Sequence, residues 1–331
     1  MVKDKTVTLQ HGNGGKKMHE VIEVFRSKLT NPTLDEMADA AQLEVTSGKI
    51  AFSTDSFVIK PVFFPGGDIG ELAVYGTVND ISMKGAKPLF ISLALIIEEG
   101  FSLSSLEKIA SSVKKAARAS GVKVVTGDIK VVEKGAADGI FINTSGIGVV
   151  EKGGYFTGAK ARAGDTVVIN GPIAEHGIAI VNAREDLGFT GDIKSDCRNL
   201  NHSVEKCLKA SRNISVLRDP TRGGLATTLN EIADNSNLGI DINETDVPVR
   251  QNVRKLCDVL GFDPLYVANE GKFVCFVREK DSEKVRKAMG PGSRIIGRVT
   301  KAHKKKVHLI TQLGSTRILP MLEVSQLPRI C

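Results

Sequence analysis

Residues 88–97 read PLFISLALII, a run with a single hydroxyl, Ser92, and no charge. It is far short of the roughly 18 apolar residues a membrane span needs, and it has the length of a strand buried on both faces of a helix-covered sheet. The neighbouring sequence supplies the helices and strands such a sheet requires. Residues 70–84 carry Leu72, Val78 and Ile81 at helical spacing. Residues 103–119 form an amphipathic pattern through Leu106, Ile109, Ala110, Val113 and Ala117, ended by Ser120-Gly121. Strands are expected at 122–130 and 139–150, and at 50–59, where Thr54-Asp55-Ser56 breaks an otherwise apolar run. Ahead of them, a short strand at 7–9 leads into His11-Gly12-Asn13-Gly14-Gly15. A helix over 16–29 follows, with Met18, Val21, Ile22, Phe25 and Leu29 on one stripe.

The pattern resets at 158–164, GAKARAG, where a domain boundary is placed. With 331 residues, 41% of them hydrophobic, the chain can build two ordinary cores. A strand over 165–170 and a helix over 174–187, beginning Glu175-His176-Gly177, open the second half. Further helices are expected around 204–208, after 217–224 (LRDPTRGG), and over 250–260, closed by Gly261. The segment 265–271 (LYVANEG) interrupts two strands, the second over 272–278. Both halves thus read as mixed α+β units, and Gly223-Gly224 lacks the spacing of a dinucleotide fingerprint.

A net charge of +7 with 25% charged residues suits a soluble protein that attracts anions such as nucleotides. The charge is not blocky enough to require nucleic acid, and His303-Lys304-Lys305-Lys306 reads as a solvated turn. The first residues lack the apolar core of a signal peptide, so a cytoplasmic enzyme or binding protein, without a membrane role, is expected. Five cysteines, an odd number without a C-x-x-C pair, indicate neither a disulfide scaffold nor a thiolate zinc site; Cys257 and Cys275 read as core thiols.

Several positions carry chemistry. The glycine turn at 12–15 offers backbone N–H groups to an anion at a helix start, as do Arg222, Gly223 and Gly224. Asp55, Asp80 beside Asn79, and Asp128 each stand in a small, polar setting. Three such carboxylates suit a Mg²⁺–phosphate site. Asp128 and Lys130, two apart on a strand, share a face. His176 near a helix start reads as a hydrogen-bonded structural residue, and Glu270 as a turn residue unless that turn faces the site. The chain closes on Pro328-Arg329-Ile330-Cys331. Leu319-Pro320 and Leu327-Pro328 bracket an aperiodic arm that reaches roughly 35–40 Å when extended, so its thiol can carry a small group between two sites.

In order, HGNGG, FSTDSFVI, GTVNDISMKGAKP, TGDIKVV, DPTRGG and NEGKFV resemble the aminoimidazole-ribonucleotide-synthetase-like (PurM-like) ATP-binding superfamily. With the terminal PRIC, the chain is similar to the HypE family, carbamoyl dehydratases of nickel–iron hydrogenase maturation. The resemblance implies an ATP-binding N-terminal domain (1–157) whose sheet completes a barrel across a homodimer. It also implies a C-terminal α+β domain (158–318) and a mobile tail (319–331). By position, Asp55, Asp80 and Asp128 would hold Mg²⁺ or phosphate with Asn79 assisting. Gly12, Gly14 and Gly15 would cover the phosphates, and Arg222, Gly223 and Gly224 would complete the cleft. Cys331 would receive a carbamoyl group from the carbamoyltransferase HypF, ATP would drive its dehydration to a thiocyanate, and the cyano group would pass to a HypC–HypD iron scaffold. Lys130 would polarise the oxygens or act as base, with Glu270 and His176 as further candidates. The alternative on the same scaffold is an ATP-dependent small-molecule kinase or synthetase.

Overall fold

The computed structural model describes residues 5–12, 15–37, 40–45, 48–150, 156–185 and 192–323. Its first half holds helices α1 (Gly15–Leu29), α2 (Pro32–Asp35), α3 (Ile69–Met83) and α4 (Leu103–Ser120). Its strands are β1 (Ile50–Phe57), the short pair β2 (Phe63–Phe64) and β3 (Gly67–Asp68), then β4 (Ala86–Glu98), β5 (Lys123–Val132) and β6 (Ile140–Val150). Local chemistry sets the helix ends. The Asp68 carboxylate accepts from the Gly70 and Glu71 N–H groups at 2.7 and 3.0 Å, opening α3, while the Ser102 hydroxyl caps α4 and Gly121, at φ 71°, closes it.

The main sheet runs β1-β6-β4-β5, parallel only between β4 and β5. Helices α1, α3 and α4 cover one face, where Ile91, Leu93, Leu95 and Ile97 of β4 join Leu72, Val78, Leu106 and Ile109 in one core. The other face is open in the single chain, with Phe52 67% and Ile96 44% exposed. The run at 88–97 is therefore a central strand, but its burial alternates rather than extending to both faces. Two other expectations change. Thr54-Asp55-Ser56 does not break β1, because alternate hydroxyl and carboxylate side chains suit a strand with one wet face. The strand expected at 7–9 is a single bridge from Thr6 to Ser102 followed by a 3₁₀ turn over Leu9–Gly12.

The second half contains β7 (Asp165–Ile169), α5 (Glu175–Glu185), α6 (Asn201–Ala210), β8 (Ile214–Arg218), α7 (Gly224–Ser236) and β9 (Gly239–Asn243). It continues through α8 (Gln251–Leu260), β10 (Val274–Arg278), α9 (Ser282–Met289), β11 (Arg294–Thr300), β12 (Val307–Ile310) and β13 (Thr316–Leu319). The sheet order is β13-β12-β9-β11-β7-β10-β8. Burial on both faces belongs here: in β10, Val274 and Phe276 enter a core with α7 and α8, and Cys275 and Val277 one with α6 and α9. No strand precedes the 265–271 segment; a 3₁₀ turn, Pro264–Tyr266, occupies its start. Among the described residues no helix is long and apolar enough to cross a membrane.

Candidate active site

Acidic side chains from both halves meet between α3 and the end of β8. Asp55 lies on the helix-covered side of β1, and Ser53 beside it donates to Asp80 Oδ2 at 2.8 Å. Asp219 arrives from the second half just past β8, and Glu270 from the turn ahead of β10. Their mutual repulsion is legible in their acidities. Burial first, then the charge and hydrogen bond of Asp80, push Asp55 up to about 7, with Arg222 opposing. Desolvation, then Asp80, push Asp219 up to about 7 as well. Glu270, 6% exposed, is raised well above the ordinary carboxyl range by burial, Asp196, Asp219, Asp55 and Asp80. A cluster of oxygen donors carrying more negative charge than its protein surroundings offset fits a hard divalent cation such as Mg²⁺.

The DPTRGG turn leads straight into the N-terminus of α7. Gly223 and Gly224 have φ of 74° and 63°, and a Cβ on Gly224 would stand 2.6 Å from the Leu265 carbonyl oxygen. Only glycine meets both conditions. Asn269, fully buried, fastens this turn to the Glu270 turn: its Nδ2 donates to the Pro220 carbonyl at 2.9 Å and its Oδ1 accepts from Ala174 N–H at 2.8 Å. Exposed Arg222 thus stands where free N–H groups and a guanidinium can address an anion.

Behind Glu270 lies a buried ionic network. Asp196 accepts from the Glu270 and Gly271 N–H groups, both at 3.1 Å, and pairs with Lys272 at 2.9 Å. Lys272 also pairs with Glu175 at 2.9 Å, and Glu175 in turn with Arg250. Burial works against the Asp196 charge, but Lys272, His176 and these hydrogen bonds outweigh it and hold its carboxyl low. A cavity of about 400 Å³, lined by Asn170, Glu175, Ser195, Asp196, Arg250 and Lys272, adjoins the network.

Other expected site residues lie elsewhere. Asn79, expected beside the phosphates, is instead engaged in joining the halves: its Nδ2 donates to the Arg198 and Glu270 carbonyls at 3.0 and 3.4 Å, and its Oδ1 accepts from Leu200 N–H at 2.7 Å. His176 is buried, with Nδ1 2.8 Å from Ser195 Oγ and its ring edge-on to Phe64. Asp128 does not join Asp55 and Asp80 within one chain. Asp55, Thr144, Leu93 and Gly127 share a row across the sheet, so Asp128, one residue on, faces the opposite side. Three strand spacings, about 14 Å, also separate β1 from β5. On that open face Lys130 Nζ stands 2.6 Å from both Asp128 oxygens, as their spacing predicts, and this pair holds the Asp128 carboxyl below its usual range. Gly12 packs against Val131 of β5, and Gly15 opens α1. Gly14 and Cys331 lie outside the described residues. Burial raises all four described thiols, Cys197, Cys207, Cys257 and Cys275, above the ordinary range.

Sequence reasoning passed over Asp219, Asp196 and Lys272. For Asp219 a signal existed: an Asp-Pro pair at the exit of a short apolar run, before a glycine-opened helix. For Asp196 and Lys272 there was none, because their pairing spans 76 positions of chain.

Comparison with known proteins follows this architecture. The family models for AIR synthase related protein match at residues 37–150 (N-terminal domain) and 162–310 (C-terminal domain). Carbamoyl dehydratase HypE of Azotobacter vinelandii is 46% identical over 336 residues, covering 100% of this chain and 98% of that protein. A crystal structure of hydrogenase maturation protein HypE in complex with ATP superposes with a TM-score of 0.95 at 47% identity, covering 98% of this chain and 100% of the other. A HypE–HypF complex matches with a TM-score of 0.81 at 48% identity, covering 91% and 99%.

Proposed function

Since the chain belongs to the HypE family of AIR-synthase-related proteins, we propose that it is the ATP-dependent carbamoyl dehydratase of hydrogenase maturation, acting on a carbamoyl group carried by its own Cys331. The observation that carries this reading is the meeting of Asp55, Asp80, Asp219 and Glu270 beside the glycine-opened helix α7. That arrangement suits binding a nucleotide's phosphates and removing protons next to them.

The substrate group is S–C(=O)–NH₂, whose oxygen leaves poorly. In the proposed course, that oxygen attacks the γ-phosphorus of ATP and ADP departs. The C–O bond then breaks as both N–H protons are removed, leaving S–C≡N. The balance is thiocarbamate plus ATP giving thiocyanate, ADP, phosphate and a proton. Phosphoryl transfer of this kind depends on positioning and charge stabilisation. Asp55, Asp80 and Asp219 would hold a Mg²⁺ ion, whose charge would stabilise the transferred phosphoryl group. Glu270, once ionised, is a stronger base than an ordinary carboxylate because burial and neighbouring carboxylates raise its pKa, which suits it to take an N–H proton. Arg222 and the first N–H groups of α7 address phosphate oxygens.

Asp128, Lys130 and Gly12 sit at the far edge of the first sheet, and the open apolar face with Phe52 and Ile96 needs a cover. Both facts are met if two copies close their sheets into a barrel and each supplies Asp128 and Lys130 to the other's carboxylate cluster, Lys130 polarising the transferring oxygens. Domains at 1–157 and 158–318 follow, as do HypF as carbamoyl donor, a HypC–HypD iron scaffold as cyanide acceptor, and a cytoplasmic setting. Leu319, expected to open the tail, instead closes β13 and is buried, and 324–331 lie outside the described residues.

Intact-protein mass spectrometry tests the reading. Incubation with the carbamoyl donor adds about 43 Da to the chain, and ATP with Mg²⁺ lowers the increment to about 25 Da, the difference being one water. Cys331→Ala abolishes both masses. An adduct that survives this substitution, or that persists unchanged with ATP, rules the reading out.

A further inference from the structure

On the second sheet, four strands from β8, three side chains of ligating type converge in a place the dehydration does not use. Asp241 of β9 and His308 of β12 are register partners in a parallel pair, and both point away from the core that Ile240, Ile242, Val307 and Leu309 enter. His303 comes to them from the turn between β11 and β12 with φ of 35°, a conformation that costs a residue with a Cβ. Its ring stacks on that of His308 with centroids 3.6 Å apart and planes 13° apart.

The contact between His303 and Asp241 has an unusual form. Nε2 lies 3.2 Å from Asp241 Oδ1, yet this nitrogen is shielded from solvent and makes no hydrogen bond. Two ligating atoms this close, with no hydrogen bond between them, have the spacing of neighbouring ligands on one ion. Donors about 2.0–2.1 Å from one tetrahedral ion stand about 3.3 Å apart. Donor atoms of all three residues lie within 4.8 Å of one another, and turning the His308 ring out of its stack would direct its nitrogen to the same ion. The cradle also requires glycine: a Cβ on Gly239 would stand 2.7 Å from His303 Nε2 and 2.2 Å from the Ala302 carbonyl oxygen.

We infer that Asp241, His303 and His308 form a binding site for a transition-metal dication of the Zn²⁺ class, with solvent as the remaining ligand. Two imidazoles and one carboxylate suit Zn²⁺, Ni²⁺ or Cu²⁺, whereas Mg²⁺ prefers six oxygens. The all-oxygen cluster of Asp55, Asp80 and Asp219 has the opposite preference, so the two sites do not compete for one ion. Opposing charge limits the affinity. Arg298 stands 3.8 Å from Asp241, and Lys301, Lys304, Lys305 and Lys306 are exposed nearby. Their repulsion is weakened by salt over about 8–10 Å.

The site stands independently of the dehydratase reading, and its test needs no activity. The full chain, stripped with EDTA and kept in excess Mg²⁺, is titrated with Zn²⁺ against a chromophoric chelator. Wild type binds one equivalent more than the His303→Ala/His308→Ala double variant. Zn²⁺ held by Cys331 or by the carboxylate cluster is common to both and cancels. Asp241→Asn, which keeps the shape, weakens that equivalent by more than the roughly 10–100-fold expected of an indirect neighbour. Equal stoichiometry in wild type and double variant, or an unchanged affinity in Asp241→Asn, overturns the assignment.

Discussion

At the scale of single residues, Glu270 separates chemistry from stability. Burial and four neighbouring carboxylates raise its pKa well above the ordinary carboxyl range, so its surroundings favour the neutral form. Glutamine reproduces that neutral form. Glu270→Gln is therefore expected to leave the unfolding free energy within about 1 kcal/mol of wild type while slowing conversion of the carbamoyl adduct by roughly 10²–10⁴-fold. Calorimetry beside time-resolved mass spectrometry checks both halves. Asp55 and Asp219 carry a pH dependence. Without a cation their folded acidities sit at about 7, against about 3.9 in the unfolded chain. The folded state therefore binds more protons between those values, and the stabilisation it gains is complete below about pH 4 and lost as pH rises through 7. In EDTA the melting temperature should fall from pH 5.5 to 8, and Mg²⁺ should recover most of the loss at pH 8. A flat profile, or a cation effect largest at pH 5.5, contradicts a Mg²⁺ site here. Much of this was legible from residue type and setting alone, since Asp55, Asp80 and Glu270 all stand in motifs the sequence displays. The turn holding Glu270 was not, because Asp196 and Lys272 act through a fold that brings distant positions together.

At the scale of elements, apolar periodicity located α1, α3, α4, α7 and α8, whose ends follow from capping side chains and glycines in sequence order. Periodicity failed where burial depends on what lies across a sheet. The run at 88–97 is apolar on both sides although helices cover only one, and the doubly buried strands β7 and β10 are each only five residues long. The start of α7 shows how tightly an element's position can depend on one residue. Gly224 combines a φ of 63° with the Leu265, Tyr266 and Val267 backbone within 2.7 Å of its missing Cβ. Gly224→Ala is expected to lower stability by about 1–3 kcal/mol and to move the Asp219–Arg222 turn off the cluster. Urea unfolding gives the first quantity and ATP affinity the second. A variant as stable and as tight-binding as wild type would show that α7 can start elsewhere.

At the scale of the whole molecule, one chain presents two separate groups. Asp55, Asp80, Asp219, Arg222 and Glu270 stand at the β1 edge of the first sheet, while Asp128 and Lys130 stand at the β5 edge on the opposite face. The row of residues across that sheet is set by backbone register, which no motif spelled out, so the sequence alone placed all three aspartates in one site. Sharing between copies predicts complementation. Asp55→Ala and Lys130→Ala are each expected to be inactive as homodimers. A mixed dimer combines the intact carboxylate cluster of one copy with the intact Lys130 of the other at one of its two sites, while the second site carries both defects. Random exchange makes about half of all dimers mixed, so activity should return to about a quarter of wild type. If both residues served the same chain's site, every site in the mixture would carry one defect and nothing would return. Tagging the two variants differently and isolating the mixed species removes the statistical factor, and the recovered activity should then approach half.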